Sequence, residues 1–449
     1  MSSRAVLPPG PAAPPLVQTA RWVRDPVTFF ERCRNRYGRR FTVRFLFGPP
    51  IVSLSDPAEV KAIFGAPPDV LEPGFGGKIL EPVLGSRSVL VLDGDDHLRQ
   101  RRLMLPAFHG ERMATLTGVL EEVTERAVAE WPRDRPIELH PRLQALTLEV
   151  ILRAVFGLEP GPRLDALRTV FTAYLEEASK PHNMPTGLQR DLGRLSPWGR
   201  FLRVREQALG LVSAEIARRR TADQGDHGDV LAMLLGATEE DGTPMRDLDI
   251  RDELVTLLVA GHETTASQLA WTCERLVRTP DVLARAQAAV DAGDDAYLTA
   301  TIQEALRCRP VLMFAQPRFV ARPITVGDVA YPAGSCALTA NVHLVHHDPD
   351  IYPDPYAFRP ERFLEQAPGT FTWLPFGGGR RRCLGQAFAM LEMRVVLAAL
   401  LRTTDLARDP AAAPGDEAHL RRHITVSPAE GARLVLQSRR TTRPAAAAA

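Results

Sequence analysis

The ten residues FGGGRRRCLG, Phe376 to Gly385, set three glycines against three arginines and then place one cysteine alone. After the cysteine runs LGQAFAMLEMRVVLAALL, in which Leu384, Phe388, Leu391 and Val395 fall at i, i+4, i+7 and i+11, one apolar face of a helix that begins at Leu384. Cys383 therefore sits at or just before a helix N-terminus, where free backbone N–H groups, the helix dipole and nearby guanidiniums favour a thiolate. Gly377, Gly378 and Gly379 let the backbone fold closely around something bulky. The plain alternative is a buried structural cysteine beside a flexible turn, a common place for this residue type. A phosphate-binding loop is excluded, because neither GxxxxGK[ST] nor GxGxxG follows a strand here.

The chain has 449 residues, 45% of them hydrophobic and 24% charged, which is enough apolar material for a large buried core. A formal charge of +1 gives no global field for nucleic acid, so local arginine clusters matter more than the sum. The five cysteines, Cys33, Cys273, Cys308, Cys336 and Cys383, are scattered and form no CxxC pair; neither a disulfide framework nor a structural zinc site is expected, and a reducing cytoplasm fits. Prolines interrupt the N-terminal MSSRAVLPPGPAAPPL, so it is not read as a secretory leader, and without a run of ~18 apolar residues no transmembrane anchor is expected.

Composition predicts a flexible Pro-rich segment over 1–20, one domain over 21–440 and a disordered tail over 441–449. TGVLEEVTERAVAEW, PRLQALTLEVILRAVFG and RVREQALGLVSAEIARRR carry apolar residues at helical spacing. The longest helical run spans about Leu248 to Thr279, with Asp247 as its cap and Pro280 as its stop. RFTVRFL, IVSLS, ITVGDVAYPAG and RLVLQS read as strands, so the class is mainly α with small β-sheets.

Three further stretches carry chemistry. AGHETT, Ala260 to Thr265, lies midway along the long helix. It is not a zinc-protease HExxH, because Ala266 stands where the second histidine is needed. Gly261 weakens the helix, and the Thr264 hydroxyl can bond the Ala260 carbonyl and open the ladder; a helix with a glycine and two threonines is the plain alternative. Glu304 and Arg307 in QEALRCRP form an i, i+3 pair, which taken alone is a surface ion pair. DGDDHLRQRRLMLPAF supplies His97 and Arg101 in a basic run. His343, His346 and His347 form a rival cluster for a metal, with no further ligand identifiable.

Phe376, Gly379, Arg381, Cys383 and Gly385 fit F-x-x-G-x-R-x-C-x-G, which resembles the haem-thiolate loop of the cytochrome P450 monooxygenases. The other stretches resemble that family's segments and occur in its order, so the resemblance covers residues ~20 to ~440. It implies the P450 fold, with haem b (iron protoporphyrin IX) between a long distal helix and the Cys-loop helix, and Cys383 as the axial ligand. It implies Glu263 and Thr264 as the proton-delivery pair, with Ala260 and Gly261 beside the cofactor. It further implies that His97, Arg101 and Arg318, with Arg381 as a fourth candidate, take the haem propionates, and that Glu304, Arg307 and Arg362 of FRPERF form a buried ionic triad.

By the same resemblance the reaction is hydroxylation of a lipophilic small molecule (a terpenoid, fatty acid or polyketide-type natural product) with O2. No flavin or nicotinamide domain is recognised, so the two electrons come from a ferredoxin and its reductase, with Arg380 and Arg382 as candidate docking residues. Segments 71–90, 170–200 with HNMPTGL, and VLMFAQ at 311–316 are the expected substrate walls. The alternative is a haem-thiolate protein without monooxygenation: a sensor, an isomerase or a peroxygenase.

Overall fold

The long periodic run in the middle of the chain folds as one helix, Asp247–Arg278, with the other long helices stacked around it. The structure, a computed structural model, describes residues 7–439 apart from residues 47, 109–110, 181–188, 194–195, 222–227 and 423. Asp247 is the first helical residue and not the cap, which is Arg246; Asp247 and Asp249 instead place acid in the first turn, where free N–H groups favour negative charge. Thr279 closes this central helix, and Pro280 opens the next, Pro280–Ala292, at a position where its missing N–H is not needed.

The most extensive helix contact is with a flanking helix, Leu139–Phe156, which stops at Gly157 in the left-handed conformation (φ 60°). Pro197–Thr221, Asp295–Cys308 and the proximal helix Gln386–Thr403 also pack on the central one. Leu254, Leu258 and Leu269 meet Leu143, Ile151, Val396 and Leu400 in one continuous core.

A five-stranded sheet runs in the order Arg40–Val43, Ile51–Leu54, Ala337–Ala340, Arg318–Val320, Leu71–Glu72, over a second core that includes Val60, Ile63 and Phe64. Its Ile51–Leu54 and Ala337–Ala340 pair is parallel and the other pairs are antiparallel. ITVGDVAYPAG forms the hairpin Ile324–Val326 with Val329–Tyr331, and RLVLQS is the strand Arg433–Ser438. The mainly helical class with small sheets is as the sequence predicts. Among the described residues no helix is long and apolar enough to cross a membrane.

The N-terminal segment differs from expectation from Leu7 onward. The Thr42 hydroxyl and N–H donate to the carbonyls of Pro8 (2.7 Å) and Pro9 (3.0 Å). Buried Gln18, on the helix Pro15–Arg24, donates to the Ala13 carbonyl (2.7 Å) and accepts from the Arg44 N–H (2.9 Å). Proline carbonyls remain good acceptors, so a Pro-rich run can dock along a strand without donating to it. The predicted tail over 441–449 and HNMPTGL lie outside the described residues.

Glu304 and Arg307 are not a surface pair: both side chains are fully buried. Arg307 holds Glu304 through Nε (2.7 Å) and Nη2 (2.8 Å), and donates to the carbonyls of His346 (2.8 Å), Pro355 (2.7 Å) and Ala357 (3.1 Å). Arg362 Nε stands 3.4 Å from Glu304, and its Nη2 donates to the Asp354 carbonyl (2.8 Å). Lysine cannot reproduce this fork of donors, so Arg307→Lys is expected to destabilise the protein by about 3–5 kcal/mol. Urea unfolding followed by circular dichroism checks this; a change below about 1 kcal/mol would show that the network does not brace the fold.

Candidate functional site

The cysteine loop is closed by its own backbone. The Cys383 N–H donates to the Phe376 carbonyl (2.9 Å), and Arg382 N–H to Gly379 (3.1 Å). The proximal helix starts at Gln386, with Gly385 as its N-cap, slightly later than the apolar face predicts. Gly378 and Gly379 are demanded by a protein neighbour: a Cβ on Gly378 would lie 2.6 Å from the Phe64 ring, and one on Gly379 (φ +66°) 2.4 Å from the Phe64 carbonyl oxygen. Nothing lies within 4 Å of a Cβ placed on Gly377 or Gly385.

Cys383 is exposed, whereas Cys33, Cys273, Cys308 and Cys336 are buried. Its sulfur nevertheless lies deep enough for burial to push the thiol up, against the Gly385 N–H and the charges of Arg101 and Arg382. A sulfur that is both deep and accessible opens onto an internal cavity. The helix end and the arginines therefore do not make a thiolate unaided; a metal ion bound at the sulfur would displace the proton.

Ala260 is exposed although it lies at the middle of a helix packed on by four others, so it too faces open space within the fold. The Thr264 hydroxyl donates to the Ala260 carbonyl (2.6 Å), the back-bond expected from the sequence. Gly261 serves the packing: a Cβ there would come within 3.1 Å of Ile151 on the flanking helix. Glu263 faces that helix. Gln144 Nε2 donates to its Oε2 (2.6 Å), Ser267 Oγ to its Oε1 (3.1 Å), and His140 Nε2 lies 3.6 Å from Oε1. Burial alone would push this carboxyl up, but the His140 hydrogen bond, with the charges of His140, His262 and Arg422, holds it below the ordinary value.

Arginines and a neutral imidazole gather near the cysteine loop, where His97, Arg318 and Arg381 line one pocket with Phe64. Arg318 and His97 are buried, and Arg101 is close enough to Cys383 for their charges to interact. Neither Arg101 nor Arg318 has an ion-pair partner among the described residues, and Arg318 Nη1 is buried with no hydrogen bond while its guanidinium stacks 4.5 Å over Phe64. Burial pushes Arg318 down to about 10 and His97 down to about 3, with neighbouring arginines adding to both. Arg381 instead holds Asp93 (2.7 Å) and the Leu92 carbonyl. A buried guanidinium with an orphaned Nη1, and Arg101 close to an accessible thiol, fit a ligand that carries both carboxylates and a metal.

The segment after residue 84 is strapped to the central helix. Asp249 takes Arg87 Nε (2.7 Å), Asp252 the Arg87 N–H (3.1 Å), Glu253 the Val89 N–H (2.7 Å), and the Thr256 hydroxyl bonds Ser88 (2.8 Å). Val83, Leu84, Val89, Val311 and Met313 are core, so much of the expected substrate wall is spent on packing; Leu90 and Leu312 remain half-buried. The three clustered histidines are committed elsewhere. His346 Nδ1 bonds the Arg307 carbonyl (3.1 Å) and its Nε2 accepts from the Leu374 N–H (2.8 Å); His343 Nε2 meets Glu31 (3.0 Å), and His347 Nδ1 meets the His343 carbonyl (2.9 Å).

Sequence reasoning missed Asp93, His140, Gln144 and Ser267. The one signal for the flanking helix is a stripe of uncharged polar residues, His140, Gln144 and Thr147, at i, i+4 and i+7, on a helix that also carries Arg142, Glu149 and Arg153.

A family model described as Cytochrome P450 matches residues 8–434. The chain is 40% identical to cytochrome P450 138 of Mycobacterium tuberculosis over 96% of its own length and 97% of that protein's. It is 40% identical to cytochrome P450 135B1 of the same organism, over 97% and 92%. Among solved structures, the retinoic acid bound cyanobacterial CYP120A1 superposes with a TM-score of 0.83 at 24% identity, covering 96% of this chain and 99% of that one.

On the proximal helix, buried Glu392 bonds Thr265 of the central helix, and burial pushes its carboxyl up to about 8. A raised acid pKa makes the folded state bind more protons than the unfolded one between the two values. Glu392 therefore contributes fully below about pH 4.5, and stability falls by up to about 1.4 kcal/mol per unit as pH rises toward 8. Glu392→Gln is expected to flatten this part of the curve and to unfold at a higher temperature than wild type at pH 8; equal slopes in the two proteins would refute the assignment.

Proposed function

Because the chain belongs to the cytochrome P450 family, we propose that it is a haem-thiolate monooxygenase that hydroxylates a lipophilic small molecule, with Cys383 as the haem ligand. The observation that supports this reading is one accessible cysteine whose charge interacts with that of Arg101, which has no ion-pair partner among the described residues, together with the buried, unpaired Nη1 of Arg318. The donors fit haem b: a sulfur for the iron, and Arg101, Arg318 and His97 for the two propionates. Arg381 joins them by exchanging Asp93 and the Leu92 carbonyl for a carboxylate.

When bound, the haem supplies the electron-transfer and O2 chemistry, which side chains alone do not provide. Net turnover joins substrate, O2, two electrons and two protons into an alcohol and water. Ala260 leaves open space at the middle of the central helix. Thr264 holds its hydroxyl at the edge of that space by donating to Ala260, and is free to accept a proton at Oγ. Glu263, next to it, is the acid that takes up and releases protons. The strap from Arg87 to Val89 fixes the half-buried Leu90 that follows it, and an apolar wall there would favour a lipophilic guest over water. Electrons come from a separate carrier, a ferredoxin with its reductase, for which exposed Arg380 and Arg382 offer positive charge.

The reduced protein with carbon monoxide is expected to show the red-shifted Soret band of thiolate-ligated haem. Cys383→Ser should lose that band. Thr264→Ala should keep it while O2 consumption runs on without matching product. A histidine-type spectrum, or no bound haem, would overturn the proposal. The band without O2 consumption under any reductant would favour the isomerase or sensor reading.

A further inference from the structure

The proton-delivery acid is turned away from the cavity and into a polar seam between two helices. From the flanking helix come His140 and Gln144; from the central helix come Glu263 and Ser267, and none is adjacent to another in sequence. The atoms form a chain: His140 Nε2 lies 3.0 Å from Ser267 Oγ, and Ser267 Oγ–H donates to Glu263 Oε1 at 3.1 Å. Gln144 Nε2 occupies the other carboxylate oxygen at 2.6 Å. His140 is almost completely buried, so this geometry is set by packing.

Held in this seam, Glu263 rests as a carboxylate and has no proton to deliver until one is loaded. Of the side chains that reach it among the described residues, Gln144 cannot give up a proton at ordinary pH, and Ser267 can do so only by receiving another. His140 carries an imidazole, the one of the three side chains that can take up a proton at one ring nitrogen and give one up at the other. The charged or titratable groups that act on Glu263 are His140 from the flanking helix, His262 from its own helix and Arg422 from the strand His419–Arg422. His262 Nδ1 is taken by the Thr147 hydroxyl at 3.1 Å.

We propose that His140 is the proton-loading residue of Glu263, acting through the Ser267 hydroxyl, an assignment that rests on the monooxygenase reading. One proton moves at each link. The His140 imidazolium gives its Nε2 proton to Ser267 Oγ and becomes neutral; Ser267 releases its own hydroxyl proton to Glu263 Oε1, which becomes a neutral acid; the imidazole is reloaded from the medium. The neutral acid has lost the charge that held it toward His140, and is released toward Thr264. His140 touches neither substrate nor cofactor, so it is a positioning and relay residue.

The test has two readouts. In protein carrying 15N-labelled histidine, as purified and in its ferrous carbon-monoxide form, the His140 titration should move down by at least about one pH unit on Glu263→Gln, since a facing negative charge has been removed. In the haem-loaded enzyme, His140→Gln keeps a donor but carries no exchangeable charge. It should slow O2 consumption at least about tenfold and raise the solvent isotope effect, within the range of a lost acid–base group. Ser267→Ala should do the same and Ser267→Thr should restore it; this pair carries the test if His140→Gln does not fold. A His140 titration indifferent to Glu263→Gln, or wild-type rates and pH profile in both His140→Gln and Ser267→Ala, would overturn the proposal. The titration needs no turnover, so a missing carbon-monoxide band would remove the monooxygenase reading and still leave the His140–Glu263 coupling measured.

Discussion

The site hangs on one buried guanidinium. Arg307 is fully enclosed, and its donors are met by Glu304 and by the carbonyls of His346, Pro355 and Ala357. A charge taken this far from water is tolerable only when its hydrogen bonds are filled. The consequence travels along the backbone. His346 bonds the Arg307 carbonyl with one ring nitrogen and takes the Leu374 N–H with the other, and Gly377 N–H returns to the Leu374 carbonyl. The loop that presents Cys383 is thereby tied to the interior of the fold through neutral imidazole geometry, with burial pushing His346 down to about 3. The histidine that reads as a metal candidate in sequence is a rivet between the ion network and the cysteine loop.

Around that scaffold the cavity keeps unbalanced groups. Burial pushes the Cys383 thiol up and pushes Arg318 and His97 down, and Arg318 Nη1 finds no partner. Most buried polar atoms in folded proteins are paired, so an unpaired guanidinium nitrogen beside an accessible thiol is consistent with a binding site. A ligand with a metal centre and two carboxylates, as proposed, would satisfy these groups together and stabilise the folded chain by binding it.

The proposed proton supply is arranged differently from the proposed ligand site. The acid is parked between the central and flanking helices, while Thr264 next to it faces the open side and donates to Ala260. Two adjacent residues on one helix point about 100° apart, so one can border the cavity while the other borders a helix interface. That separation keeps a charge out of an apolar cavity and leaves it one rotation from use.

The chain's local patterns were readable without a structure: the ten-residue cysteine loop, the Thr264 back-bond, the strand runs and the central helix are each set by residues close in sequence. Contacts between distant residues were not. Gln144 and Glu263 are 119 positions apart and His140 and Ser267 are 127 apart, so no spacing rule joins them. The partner of Gly378 and Gly379 is Phe64, and Asp93 claims Arg381, neither of which the glycines or arginines announce. Spacing and the family resemblance picked out Cys383, Glu263, Arg101, Arg318 and Arg381 as candidates, because those motifs are local in sequence. Packing decided the state of each group, because desolvation and charge depend on neighbours that only the tertiary fold supplies.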